Sequence, residues 1–179
     1  MIKLNGEIVK SDHFPDGTTL MKQKIVHNIY KNGATIEWFF ENNEELVTLI
    51  YLTKHLRENG IEHVSLSLPY IPNARQDRVK NVEDVFTLKY FADIINYLNF
   101  NCVQVMDAHS YVSLALIDRV IPCMPCGYID RAMEDCNPDM LFFPDEGSCK
   151  RYSSVAPMEY AFGIKKRNWE TGKIEGLDV

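Results

Sequence analysis

The stretch "SLSLPYIPNARQDRV", residues 65–79, decides how this chain is read. Ser65, Leu66, Ser67 and Leu68 alternate polar and apolar, the period of a strand with one face in a core, and Pro69 and Pro72 end the pattern. Asn73, Arg75, Gln76, Asp77 and Arg78 follow directly. A strand that runs out into two arginines needs a reason in a chain of net charge −6. That charge speaks against a nucleic-acid partner, because duplex binding rests on cations that neutralise phosphates. The arginines therefore serve something small and local.

Outward from this strand, helix and strand signals alternate. Leu46, Leu49, Ile50 and Leu56 predict a helix that opens at Asn42 or Asn43, carries Glu44 and Glu45 in its positive first turn and stops at Gly60. Leu88, Phe91, Ile94, Ile95 and Leu98 predict a second, capped by Asp84 or Thr87. Further strands are expected at 35–40, 102–106, 140–143 and 160–164, with helical or irregular segments around 110–118 and 148–156. The alternation implies an α/β fold with a mainly parallel sheet and helices on both faces.

Composition narrows the class. The 179 residues exceed the single-domain mode of roughly 100–150, so one large domain and one and a half smaller ones both fit, and the 46% apolar content is ample for a core. No apolar run approaches the ~20 residues of a membrane span, and "MIKLNGEIVKSDHF" has no apolar signal core, so a cytoplasmic location is expected. The five cysteines are an odd count and read as reduced thiols; "CMPC" (123–126) lacks the second ligand pair of a zinc site.

The informative pattern lies at strand ends: "PYIPNARQDR" after Leu68, "DAHS" after Met106, "PDEGS" after Phe143 and "KKRN" after Ile164. Each cluster alone reads equally well as a solvated loop. Four together point to one convergent site, because open α/β sheets bind ligands outside the carboxyl ends of their strands. His109 and Asp145 are candidate Mg²⁺ ligands, an ion that takes few protein groups and completes its shell with water and phosphate. Lys165, Lys166 and Arg167 would repel one another without an incoming anion. Arg75 offers a planar fork that pairs bidentately or stacks on a ring, and Gln76 both donates and accepts. This set describes nucleotide phosphate chemistry, without a Walker loop, a GxGxxG turn or a GxSxG elbow.

In this order, "PYIPNARQDR", "MDAHS", "FPDEGS" and "IKKR" resemble the signatures of the ribose-phosphate diphosphokinases, also called phosphoribosyl pyrophosphate synthetases. "EDVFTLKYFADIIN" resembles the family's helix after the arginine motif, and "FPDGT" (14–18) its adenine loop. The resemblance runs along essentially the whole chain. It implies transfer of the ATP diphosphoryl group to the C1 hydroxyl of ribose 5-phosphate, giving phosphoribosyl pyrophosphate and AMP. Carried over by motif, Arg75 and Gln76 contact ATP, Phe14 and Arg75 flank the adenine, and Asp16 reads its edge. His109 and Asp145 position Mg²⁺, Lys165 and Arg167 close over the diphosphate, and Arg78 is an ion-pair partner. A homo-oligomer with its active site near the subunit interface is implied as well.

The sequence also departs from the family. Thr18 replaces a glutamate of the adenine loop, Asn73 replaces the aromatic before Ala74, and Ser148 replaces a glycine, with Cys149 beside it. The family's TGGT-like ribose-phosphate loop is missing from these residues. The expectation is a truncated form, with an N-terminal ATP-binding and oligomerisation domain at 1–130 and the first part of a second domain at 131–179. That is a type I phosphoribosyltransferase-like pair with the second domain incomplete, weakly active or inactive alone. Two other readings stand beside it: a non-catalytic, synthetase-associated regulatory subunit, and a phosphoribosyltransferase-like domain.

Overall fold

The computed structural model describes residues 1–26, 30–155, 158–167 and 174–178. The chain forms two compact units, Met1–Met124 and Pro125–Val179.

The first unit contains β1 (Ile2–Leu4), β2 (Glu7–Ile8), β3 (Ser11–His13), β4 (Thr19–Met21), β5 (Ala34–Trp38), α1 (Glu44–Glu58), β6 (Val64–Leu68), α2 (Thr87–Tyr97), β7 (Val103–Met106), α3 (Tyr111–Leu116) and β8 (Val120–Cys123). Its sheet has the order β2-β1-β5-β6-β7-β8. The four strands from β5 to β8 are parallel, each joined to the next by a helix, while β1 lies antiparallel on β5. The sheet is therefore mainly parallel, as the alternation of signals requires.

The β6 alternation is also the burial pattern. Val64, Leu66 and Leu68 are buried and Ser65 and Ser67 are not. The buried face, continued by Ile36, Trp38, Val103 and Val105, joins Leu49, Leu52 and Leu56 of α1 and Leu88, Phe91 and Ile95 of α2 in one core. Each such side chain contributes roughly 1.5–3 kcal/mol by leaving water. On the other face, Thr35 and Gln104 are exposed and Glu37 is half-buried. Gly33 enters β5 at φ +95°, and a Cβ there would come within 2.7 Å of the His63 carbonyl oxygen, so only glycine lets the two strand entries approach.

Glu45 ties the first turn of α1 to the sheet edge. Its carboxylate accepts from the Met1 amine, from Trp38 Nε1 at 2.9 Å and from the Glu41 N–H at 2.8 Å. Burial pushes its pKa up, yet these bonds outweigh burial and leave it lowered. The caps expected for α2 serve elsewhere. Phe86 occupies the N-cap with no side-chain bond, Asp84 accepts from the N–H groups of Lys80 and Asn81, and Thr87 turns toward Gln76. A tight turn at residues 80–84 takes the carboxylate that the sequence pattern assigned to the helix.

The second unit contains α4 (Cys126–Cys136), β9 (Leu141–Phe143), α5 (Glu146–Tyr152), β10 (Tyr160–Phe162), β11 (Ile164–Arg167) and β12 (Ile174–Asp178). β9 and β10 are parallel and joined through α5; β11 and β12 pair antiparallel with an irregularity between Lys166 and Arg167. The strand expected at 160–164 is thus two, broken at Gly163. All five cysteines are free thiols. No described helix is long and apolar enough to cross a membrane.

Candidate functional site

β6 and β7 are parallel neighbours, with Leu68 opposite Val105, so the loops that follow them leave the same edge of the sheet side by side. One loop carries Arg75, Gln76, Asp77 and Arg78, the other Asp107, His109 and Ser110. Each contains a residue in the left-handed region, Asn73 at φ +63° and Asp107 at φ +45°, residue types that tolerate that conformation best after glycine. A bond from the Asp107 N–H to the Cys123 carbonyl, 2.9 Å, pins the second loop to β8.

Within the first loop the side chains divide in two. Arg75 is exposed. Gln76 accepts from the Thr87 hydroxyl at 3.0 Å, and its own carbonyl accepts from the Leu88 N–H at 3.4 Å, so the loop is laced to the start of α2. Gln76 is itself exposed, and beyond this bond its amide has two N–H donors. Asp77, by contrast, points in and is 9% exposed. Its two oxygens accept from Arg78 Nε at 2.7 Å and Nη2 at 3.1 Å. Arg78 is thus an ion-pair partner, as expected. The Arg78 guanidinium, helped by the Ser110 hydroxyl and opposed by burial, holds the Asp77 carboxyl down at about 2.

Ser110 caps α3: its Oγ accepts from the Val112 N–H at 3.1 Å. The sequence reading missed Asp77 and Ser110. The available signal was the Asp-Arg pair inside a loop followed, one strand later, by a serine at a helix start. His109, next to Ser110, is exposed.

Phe14 and Asp16 lie in the turn between β3 and β4. The Phe14 N–H donates to the Thr18 carbonyl, and the Phe14 ring is 48% exposed. Asp16 accepts from the Thr18 hydroxyl at 2.7 Å and the Thr18 N–H at 2.9 Å, which hold its carboxyl below the ordinary range. Thr18 therefore braces Asp16 within the turn where the family's glutamate stands. In the second unit Asp145 is the N-cap of α5, in a reciprocal box with Ser148: its Oδ1 accepts from the Ser148 N–H at 2.8 Å, and its own N–H donates to Ser148 Oγ. The serine in place of glycine is what closes this box. The side chains of Lys165 and Arg167 lie outside the described residues; in the backbone register Lys165 stands opposite Leu177 and Arg167 opposite Ile174.

Arg75, Gln76 and His109 thus sit on two adjacent strand-end loops of the first unit, Phe14 and Asp16 on a hairpin of the same unit, and Asp145 in the second unit. Among the described residues no three His, Cys, Asp or Glu side chains assemble a metal cage.

No family model matches the sequence. Curated relatives do. Ribose-phosphate pyrophosphokinase of Thermococcus kodakarensis is 25% identical over 96% of this chain and 60% of its own length. The Pyrococcus furiosus enzyme of that name is 28% identical over 91% of this chain and 58% of its own. The chain is similar to ribose-phosphate pyrophosphokinases over nearly all its length. It spans about 60% of the length of these curated relatives. The crystal structure of phosphoribosylpyrophosphate synthetase from Mycobacterium smegmatis superposes with a TM-score of 0.68 at 19% identity, over 94% of this chain and 58% of that one. The fold is shared with that synthetase.

Proposed function

We propose that this chain is the ATP-binding part of a ribose-phosphate pyrophosphokinase, which transfers the diphosphoryl group of ATP to the C1 hydroxyl of ribose 5-phosphate. The observation that carries this reading is the side-by-side exit of "NARQDR" and "DAHS" from the paired strands β6 and β7. In this reading the exposed Arg75 guanidinium stacks on the adenine with Phe14 opposite, and the side-chain amide of the exposed Gln76 donates to the nucleotide. Asp16, kept ionised and fixed by Thr18, accepts from the exocyclic amine of the adenine.

His109 would help position Mg²⁺ largely through its water shell, and the same role is proposed separately for Asp145 of the second unit. The ion supplies charge neutralisation at the phosphates. Lys165 and Arg167 contribute positive charge beside the diphosphate as its bond to the α-phosphate breaks. The protein's part is orientation and electrostatic stabilisation, since in-line displacement at phosphorus asks little covalent chemistry of it. The reading includes a homo-oligomer, with the β3–β4 turn and its exposed Phe14 near a neighbouring copy.

Calorimetric titration of the chain with ATP and Mg²⁺ tests it. Binding weakened at least about tenfold by Arg75→Ala, the scale for losing a charge-assisted contact, supports the nucleotide site. Absence of binding, with the fold intact by circular dichroism, sinks it. AMP release with ribose 5-phosphate, run alongside, tests whether the chain alone turns over.

A further inference from the structure

A cleft of about 680 Å³ opens between α1 and the two hairpins that precede it, β1–β2 and β3–β4, and none of its lining residues belongs to the arginine loop or the histidine loop. Its volume is that of a small-molecule site, roughly 300–1,000 Å³. Buried Ile2 and Val9 and half-buried Leu20 give it an apolar lining. Its charges come from the base of the β3–β4 hairpin. There Asp12 stands opposite Leu20 and Ser11 opposite Met21; one step further out in the same register Lys10 stands opposite Lys22, and the two-residue period puts both lysines on the face of Asp12 and Leu20. Like charges set directly opposite each other destabilise a hairpin. Neither lysine has an ion-pair partner among the described residues. The carboxylates that line the cleft are engaged elsewhere: Asp12 Oδ1 accepts from the His13 N–H at 2.8 Å, and Glu45 holds the Met1 amine, Trp38 and the Glu41 N–H.

Thr48 on α1 supplies a polar group inside the cleft, although the residue is only 6% exposed. A helical threonine can turn its hydroxyl back on the carbonyl four residues earlier, as Thr53 does to Leu49 at 2.8 Å. Thr48 does not. Its hydroxyl has no hydrogen bond among the described residues, and its oxygen is not sealed from solvent, so it opens on the cleft. We propose that this cleft is a binding site for a small aryl carboxylate with a polar ring substituent. The carboxylate bridges the ammonium groups of Lys10 and Lys22, the ring lies against Ile2, Val9 and Leu20, and the Thr48 hydroxyl meets the substituent. A neutral apolar molecule would leave the lysines opposed and unpaired, and a phosphate-rich one would leave the apolar lining without a partner. The site is independent of the nucleotide reading, because it shares no residue with the arginine and histidine loops.

The test titrates the ¹⁵N-labelled chain with 6-hydroxy-2-naphthoate and follows the amide resonances by nuclear magnetic resonance. The expected result is one saturable curve shared by Val9, Ser11, Leu20 and Thr48. Shifts confined to other residues, or no saturation by roughly 10 mM, overturn the proposal. The titration is repeated in Lys10→Glu/Lys22→Glu, in Thr48→Val and in a control, Lys31→Glu/Lys89→Glu, that changes the net charge equally at other exposed positions. Thermal melting checks that each variant folds. Binding weakened at least about tenfold in Lys10→Glu/Lys22→Glu but not in the control is expected from the loss of two charge-assisted contacts. Thr48→Val, which keeps the branched shape without the hydroxyl, is expected to weaken binding about threefold. Native affinity in Lys10→Glu/Lys22→Glu, or equal loss in the control, overturns the proposal. Should Thr48→Val fail to fold, the lysine pair and its control decide by themselves, since all four lysines are exposed.

Two further titrations separate the cleft from its alternatives. With ATP and Mg²⁺ added, 6-hydroxy-2-naphthoate is expected to bind as before; its displacement overturns the cleft as a site of its own. Over about a hundredfold range of chain concentration the affinity is expected to hold constant. Loss of binding as the chain becomes more concentrated would mean that a second copy covers the cleft, and overturns the proposal.

Discussion

The two units of this chain bury their side chains very differently. In the first, a six-stranded sheet and its helices share one core that reaches from Ile2 to Ile117. In the second, the buried hydrophobic side chains among the described residues are Phe143 and Cys149, and α4 buries none of its residues. Tyr128, Met140, Phe142 and Tyr160 are all substantially exposed there. A two-stranded sheet has little capacity to stabilise itself in water, and β9 with β10 is such a sheet. Stability and site geometry therefore reside in different amounts in the two units: the first holds its loops on a rigid frame, the second presents Asp145 from the start of a seven-residue helix.

The sharpest way to break this comparison is a cavity in each unit. Leu66→Ala, at a fully buried position of β6, is expected to cost roughly 3 kcal/mol in urea unfolding followed by tryptophan fluorescence. Met133→Ala, half-buried on α4, is expected to stay within about 0.5 kcal/mol. Equal costs would mean that the second unit has a core of its own. Between these extremes, Trp38→Phe keeps most of the ring volume but deletes the indole donor to Glu45, and a loss of about 2 kcal/mol is expected from that charged hydrogen bond.

A smaller effect appears in acid. Because the folded Asp77 titrates at about 2, below its ordinary 3.8, the native state binds this proton less readily than the unfolded chain. Its contribution is complete above about pH 4 and fades as the pH falls toward 2. The urea midpoint of Asp77→Asn is expected to fall less steeply than that of the native chain across that window. Parallel curves would show that the carboxylate is not clamped. The smallest effect belongs to the second unit: Glu146→Gln removes an exposed pair with Lys150 on α5, and no measurable change in the unfolding midpoint is expected.

How much was legible in advance varies element by element, for identifiable reasons. Residues 64–68 could be placed to the residue because alternation and flanking prolines agree with the final burial. The strand β8 was not foreseen: it is four residues long and contains Pro122, which is tolerated there because β8 is the outermost strand of the sheet. The pairs β1–β2 and β3–β4 were missed because strands of two or three residues leave no period to read. In α4, Gly127 and scattered charges mask the half-buried pair Ile129 and Met133. Of the candidate site, Arg75, Gln76 and His109 were readable because strand ends and motif order mark them. Asp77 was not, since its burial and its pair with Arg78 depend on how the loop packs.

The sequence by itself determined the alternation of strand and helix, the polar clusters after β6, β7 and β9 and the chemistry those side chains offer, because period, proline and residue type are local properties; the fourth cluster, expected after a strand end at Ile164, lies instead within β11, because the chain continues through Ile164–Arg167 to pair with β12. Tertiary structure alone decided which clusters are neighbours. The pairing of β6 with β7 sets the arginine loop beside the histidine loop, and burial turns Asp77 from one more polar loop residue into the carboxylate that holds Arg78 on both oxygens. A carboxylate holds a guanidinium this firmly only where the fold removes competing water and brings the donor within a hydrogen bond's reach.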